Sequence, residues 1–161
     1  MTASRAWTFW AFIALLVALD FVLHIAIGLG ATAPDLLTVA LLLGARRLGG
    51  AGAAALGLVL GLLRDALSLI AFGAEAVTMT LLGFLGARSR DLFLGEGTLF
   101  VAGYLFVGKW LHDVVYFLIA GPAVRGDTVT RLAIEAPIAA AYAAVAGSVA
   151  FLVYRLITGE R

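Results

Sequence analysis

Gly49, Ala53, Gly57 and Gly61 follow one another at intervals of four and lead directly to Arg64 and Asp65, all within an otherwise apolar run. On a helix that spacing stacks small residues along one face, each a turn above the last. Small-residue faces let two helix backbones approach closely in lipid, where packing rather than the hydrophobic effect drives association. The ladder therefore predicts a membrane helix with a packing seam, and its far end carries a charged pair into the apolar interior.

Composition sets the class. The chain is 63% hydrophobic and 13% charged, whereas a soluble domain carries roughly 25% charged residues. Such a chain cannot solvate a globule in water, and the expected fold is an all-α, polytopic membrane bundle forming one integral domain over residues 1–161. Cysteine is absent, which excludes a disulfide framework, a thiol nucleophile or a CxxC metal site. The first apolar segment is longer than the apolar region of a cleavable signal peptide and is expected to be a span.

Hydropathy and punctuation divide the chain into about six spans joined by short loops. The first runs from about Trp7 to Leu29, with Trp7 and Trp10 as interfacial anchors, and Gly28 to Ala33 form a turn. Pro34 suits the first turn of the second span, Asp35 to Ala45, where its missing N–H costs nothing. About 11 residues rise only about 17 Å, so this span must tilt, use its flanks or sit among other helices. The third is the ladder helix, Gly49 to about Phe72, broken by Gly73; the fourth runs from about Ala74 to Ala87, closed by Arg88, Arg90 and Asp91. The fifth covers Gly97 to Ala120 and ends at Gly121 and Pro122. After a polar loop, Val124 to Arg131, the sixth spans Ala133 to Ile157, with a second small-residue seam at Ala136, Ala140, Ala144 and Ser148.

Basic residues orient the spans. With the N-terminus in the cytoplasm, the inner ends and loops hold Arg5, Arg46, Arg47, Arg88, Arg90, Arg155 and Arg161, and the outer loops only Arg125 and Arg131. Arg64 and Lys109 lie within spans. This asymmetry favours cytoplasmic termini and an even number of spans.

Seven ionisable residues stand deep within the first, third and fifth spans: Asp20 and His24 on the first, Arg64 and Asp65 on the third, Lys109, His112 and Asp113 on the fifth. Counted along each helix from its cytoplasmic end, Asp20, Asp65 and Lys109 lie about 18–25 Å deep, with His24, His112 and Asp113 at similar or slightly greater depth. Asp20/His24 and Lys109/Asp113 are i,i+4 pairs able to partner on one helix. Charges at such depth cost several kcal/mol unless paired or hydrated, so a shared network in one layer is expected. That layer reads either as a proton or ion path or ligand pocket, or as a self-neutralising cluster that fixes helix register and faces a partner protein. A metal site from Asp20, His24, His112 and Asp113 would need the two histidines to meet.

Catalytic and cofactor motifs are missing. The run GGAGAAALG lacks the G-x-x-x-x-G-K-[ST] ending of a phosphate loop. Ser68 and Ser148 lack a G-x-S-x-G setting and a nearby base. Glu135 beside Pro137 reads as an interfacial residue, and Trp110 as packing or lipid contact. The chain is expected to be non-enzymatic, with no cofactor, no metal and no nucleic-acid partner; membrane lipids are its expected surroundings.

Taken together, Pro34-Asp35 opening a short second span and Gly57-Leu58-Val59-Leu60-Gly61-Leu62-Leu63-Arg64-Asp65, followed by Leu67-Ser68, resemble the rod shape-determining MreD family. His112-Asp113-Val114-Val115-Tyr116-Phe117 resembles that family's V-x-D-x-x-x-F pattern, with Asp113 as the acid and Phe117 as the aromatic. Where the family often has a small Gly-rich turn after the first acid, this chain has Leu69-Ile70-Ala71-Phe72 before Gly73. The resemblance implies a multi-pass scaffold of the bacterial cytoplasmic (inner) membrane that serves the cell-elongation machinery and lateral peptidoglycan synthesis. Its implied partners are a MreC-type single-span protein, the actin-like MreB, and a RodA-type glycosyltransferase with a class B penicillin-binding protein. It also implies a fold similar to the S components of energy-coupling-factor vitamin transporters. A substrate-binding S component is the alternative function, for which Ala14-x-x-x-Ala18 would be a docking surface.

A tag fused to either end is expected to label only from the cytoplasmic side of intact spheroplasts. Labelling of the C-terminal tag from outside would remove one span from the count.

Overall fold

The structure, a computed structural model, describes residues 3–26, 33–67, 71–89, 97–120 and 130–159. Every regular element among them is helical. The described residues form six α-helices: α1 (Ala3–Phe21), α2 (Leu36–Ala45), α3 (Gly50–Asp65), α4 (Ala74–Ser89), α5 (Thr98–Ala120) and α6 (Ala136–Thr158). A π-helical turn, Val22–Ala26, extends α1, and another, Arg131–Glu135, leads into α6. The expected turn at Gly28, the serine Ser68, the loop at 124–129, and Arg90, Asp91, Gly121, Pro122, Arg125 and Arg161 lie outside the described residues.

Two stretches, Ala6–His24 and Leu132–Thr158, are long and apolar enough to cross a membrane. The 23-residue α5 is as long as α6 but carries Lys109 and Asp113. The exterior is apolar: Trp7, Leu99, Leu156 and Ile157 are each at least 75% exposed, and large aliphatic side chains are exposed on every helix except α2. So many exposed apolar side chains call for hydrocarbon or a partner as their solvent.

The short helix is the centre. All ten residues of α2 are buried, and it touches α1, α3, α4, α5 and α6. A helix that is apolar all round belongs inside a bundle, which resolves the short second span: it is the core that the longer helices surround. Leu37, Leu41, Leu42 and Leu43 pack with Phe9, Ile13 and Leu16 of α1, Met79 and Leu82 of α4, and Tyr104 and Leu105 of α5. The Tyr104 hydroxyl donates to the Leu42 carbonyl at 3.0 Å, an oxygen near the end of α2 that also accepts from the Arg46 N–H at 3.3 Å. Arg46 lies over the Tyr104 ring and Arg47 over Phe9, the latter at 3.7 Å from the ring centroid.

The ladder sits between α3 and α4. A Cβ added to Gly57 would fall on the Met79 carbonyl, and one added to Gly61 would come within 2.5 Å of the Ala76 Cα and 2.6 Å of the Glu75 oxygen. From the other side, a Cβ on Gly83 would strike the Ala53 carbonyl. The pairings 53 with 83, 57 with 79 and 61 with 76 show two antiparallel helices in backbone contact, with glycines contributed by both. Gly49 differs: it is the extended N-cap of α3, and open space surrounds it. The second seam also packs, with Ala136, Ala140, Ala144 and Ser148 buried on α6; a Cβ on Gly147 there would meet Leu105 and Val39 at 2.8 Å.

The ladder helix ends earlier than hydropathy suggests, at Asp65 rather than near Phe72. Ala71 (φ 55) and Gly73 (φ 92) turn the chain through the left-handed region before α4 begins, a conformation that glycine takes without steric cost. Gly57→Leu and Gly61→Leu should each destabilise the bundle by about 2 kcal/mol or more, because the neighbour that must yield is backbone. Gly49→Ala should change stability by less than about 0.5 kcal/mol. Unfolding in detergent followed by circular dichroism ranks the three; equal stability across them would remove the seam from the α3–α4 contact.

Candidate functional site: a buried ion cluster at two helix N-termini

Because α2 and α4 start within the bundle, their first N–H groups have no intrahelical acceptor and need one from elsewhere. Carboxylates supply it. Asp20 of α1 accepts from the N–H groups of Leu36 and Leu37 at 2.8 and 3.1 Å. Asp35, the N-cap of α2, accepts from the Thr38 N–H and hydroxyl at 3.0 and 2.9 Å. Asp65 of α3 places its two oxygens on the N–H groups of Glu75 and Ala76 at 3.3 and 2.9 Å. All three carboxylates also meet the positive end of a helix dipole.

The cations close on this layer. Arg64 donates through Nη1 to Asp35 at 2.9 Å and lies 3.3 Å through Nε from Glu75. Lys109 reaches Asp35 Oδ2 at 2.9 Å and also pairs with Asp113 one turn along α5. His112 sits between two acids, with Nε2 2.9 Å from Glu75 Oε2 and Nδ1 3.1 Å from Asp113 Oδ1. Four helices are thereby tied together: α2 through Asp35, α3 through Arg64, α4 through Glu75, and α5 through Lys109, His112 and Asp113. Asp35, Glu75, Lys109 and His112 are all buried. In so dry a setting, breaking one partner of a pair costs about 3–5 kcal/mol, because the other charge is left behind.

Of the seven ionisable residues singled out by sequence, the structure brings Arg64, Lys109, His112 and Asp113 into one cluster. Asp20 and His24 form a separate pair: His24 Nδ1–H donates to the Asp20 carbonyl at 2.9 Å, and the Asp20 carboxylate is 3.5 Å from that nitrogen. Asp65 serves the N-terminus of α4 rather than Arg64 or Lys109. Two members of the cluster are additional, Asp35 and Glu75. A signal for Asp35 was present, since an Asp three residues before a Thr and ahead of an apolar run is an N-cap pattern. Glu75 follows the helix-breaking Gly73 in the first turn of α4, where acids are favoured.

Among the described residues, no three His, Asp or Glu side chains are arranged to hold a metal ion. The Ser148 hydroxyl is buried with no hydrogen-bond partner among the described residues. One groove borders the cluster and another lies apart from it. A 250 Å³ groove between α5 and α6 is lined by Lys109, Asp113, Tyr116, Phe117 and Glu135. A wider apolar one of 510 Å³, between α1 and α3, is lined by Trp10, Ala14, Ala18, Leu60 and Leu63.

Asp65→Ala should cost about 0.5–2 kcal/mol, the range for a lost helix cap, and Asp65→Asn should restore most of it, because an amide oxygen still accepts from backbone. Neutralising Lys109 in the Asp65→Ala background should rescue nothing. A double-mutant cycle gives the answer: coupling near zero for Asp65 with Lys109, and strong coupling for Asp35 with Lys109. The reverse pattern would move Asp65 into the cluster.

No family model matches the chain, and neither a curated protein nor a solved structure is significantly similar to it.

Proposed function

We propose that this chain is a non-catalytic, multi-pass scaffold of the bacterial inner membrane, of the MreD kind, that works with a MreC-type single-span protein in lateral wall synthesis and cell shape. In this reading all six α-helices lie in the bilayer, α2 as its buried core, with both ends of the chain on the cytoplasmic side. The observation that carries it is how the buried polar groups are spent. Arg64, Lys109 and His112 are taken up by Asp35, Glu75 and Asp113, and Asp20 and Asp65 by helix N-termini. An interior closed on itself in this way sets helix register, which is the best-attested use of buried ionic groups. The outward faces are apolar and fit lipid or a partner helix. The resemblance of Gly57 to Asp65 and of His112 to Phe117 to the MreD pattern supplies the particular family.

The second reading, an S component of an energy-coupling-factor transporter, draws on the polar groove between α5 and α6. At 250 Å³ and with Asp113, Tyr116 and Glu135 in its walls, it has the chemistry for a small polar ligand, though its volume is slightly below the usual 300–1,000 Å³. Purification of the tagged protein in mild detergent, with mass spectrometry of what accompanies it, separates the two. The scaffold reading expects a single-span protein with a coiled-coil external domain, together with wall-synthesis enzymes. Recovery of a transmembrane coupling subunit with paired ATPases would overturn it.

A further inference from the structure

We infer that the cluster around His112 is a binding site for one exchangeable proton, carried as the imidazolium of His112 between Glu75 and Asp113. Both ring nitrogens face carboxylate oxygens, Nε2 at 2.9 Å and Nδ1 at 3.1 Å. A neutral imidazole has a single N–H donor and a lone pair on its other nitrogen. That lone pair would be held against an anionic oxygen. Only the doubly protonated ring donates in both directions.

Charge balance points the same way. The cluster contains three acids, Asp35 on α2, Glu75 on α4 and Asp113 on α5, against two permanent cations, Arg64 on α3 and Lys109 on α5. Outside the cluster, Asp20 on α1 accepts from the backbone N–H groups that start α2 and lies 3.5 Å from His24, Asp65 on α3 accepts from those that start α4, and Glu135 lines the groove beside Asp113. Tyr116, stacked on the His112 ring with centroids 6.2 Å apart, is neutral at ordinary pH. A buried unpaired charge is costly in a low-dielectric interior, and one proton on His112 brings three negatives and two positives to zero.

The site has a way in and a consequence. Asp113 is the most exposed of the three acids, its side chain 21% accessible, and it lines the groove beside Tyr116 and Glu135, so a proton can exchange at Asp113 without the bundle opening. Loss of the proton leaves His112 with one N–H for two carboxylates. Asp113 is its neighbour in the chain and Glu75 belongs to another helix, so the contact that gives way is the tie between α4 and α5. The inference stands on the cluster itself and does not need the scaffold reading.

The test is nitrogen NMR of the full chain in lipid nanodiscs with isotope-labelled histidine. There are two histidines, and the signals that vanish in His112→Gln, or that survive in His24→Gln, belong to His112. The expected result at neutral pH is two protonated ring nitrogens for His112. In Glu75→Gln one negative charge is gone and the amide can donate to Nε2, so the ring is expected to become neutral, with one nitrogen unprotonated. A neutral His112 ring in the parent protein would overturn the inference, and that measurement requires no variant at position 75 to fold. A ring that stays doubly protonated in Glu75→Gln would overturn it as well, because the proton would then not be held by the balance of charge.

Discussion

The Asp35 carboxylate holds the structure's centre. One oxygen accepts from the Thr38 N–H and from Arg64, and the other from the Thr38 hydroxyl and Lys109. It is thus at once the cap of the core helix and the meeting point of cations from α3 and α5. The need for it follows from α2 being short. A ten-residue helix wholly enclosed by others exposes N–H groups where there is no water, and carboxylates are the strongest acceptors available. Once Asp35 is drawn in, cations must follow, and once Arg64 and Lys109 follow, Glu75 and Asp113 complete them.

The glycine seam makes this geometry reachable. Asp65 is the next step of the ladder after Gly61, and it reaches the α4 N-terminus because the helix backbones touch at Gly57, Gly61 and Gly83. A larger residue at any of these points would push α4 away and draw Glu75 out of reach of both Arg64 and His112. Packing at the seam and pairing in the cluster therefore act as one device. Dispersion between close backbones sets the spacing, and charge fixes the register at one end.

Helix positions were largely legible in the chain, because Pro34, Gly73 and the arginine pair Arg46 and Arg47 punctuate apolar runs that periodicity alone would merge. The polar residues of α3 and α5 were legible too, since an Arg, Lys or Asp amid Leu and Val is conspicuous. Asp35 and Glu75 were not, for a physical reason. An acid at the start of a helix looks the same whether that start lies at a water interface or deep in a bundle, and depth is a tertiary property. The partner of Asp65 was hidden for the same reason: its acceptors are needed by a helix whose N-terminus is buried only because α3 and α4 touch. Gly49 illustrates the converse, matching the ladder's spacing while lying one turn beyond the contact.

Arg64 shows why the identities of the cations matter as well as their charge. Its Nη1 and Nε address carboxylates on two different helices, Asp35 and Glu75, which a planar fork can do with little further loss of freedom. Lys109 is a point charge between Asp35 and Asp113, one acid on another helix and one a turn along its own. Exchanging the two would leave the net charge intact and break the geometry, since an ammonium cannot span Asp35 and Glu75 in the same way. The cluster is specified by shape as much as by charge, and that is how a few ionisable residues can fix the register of four helices.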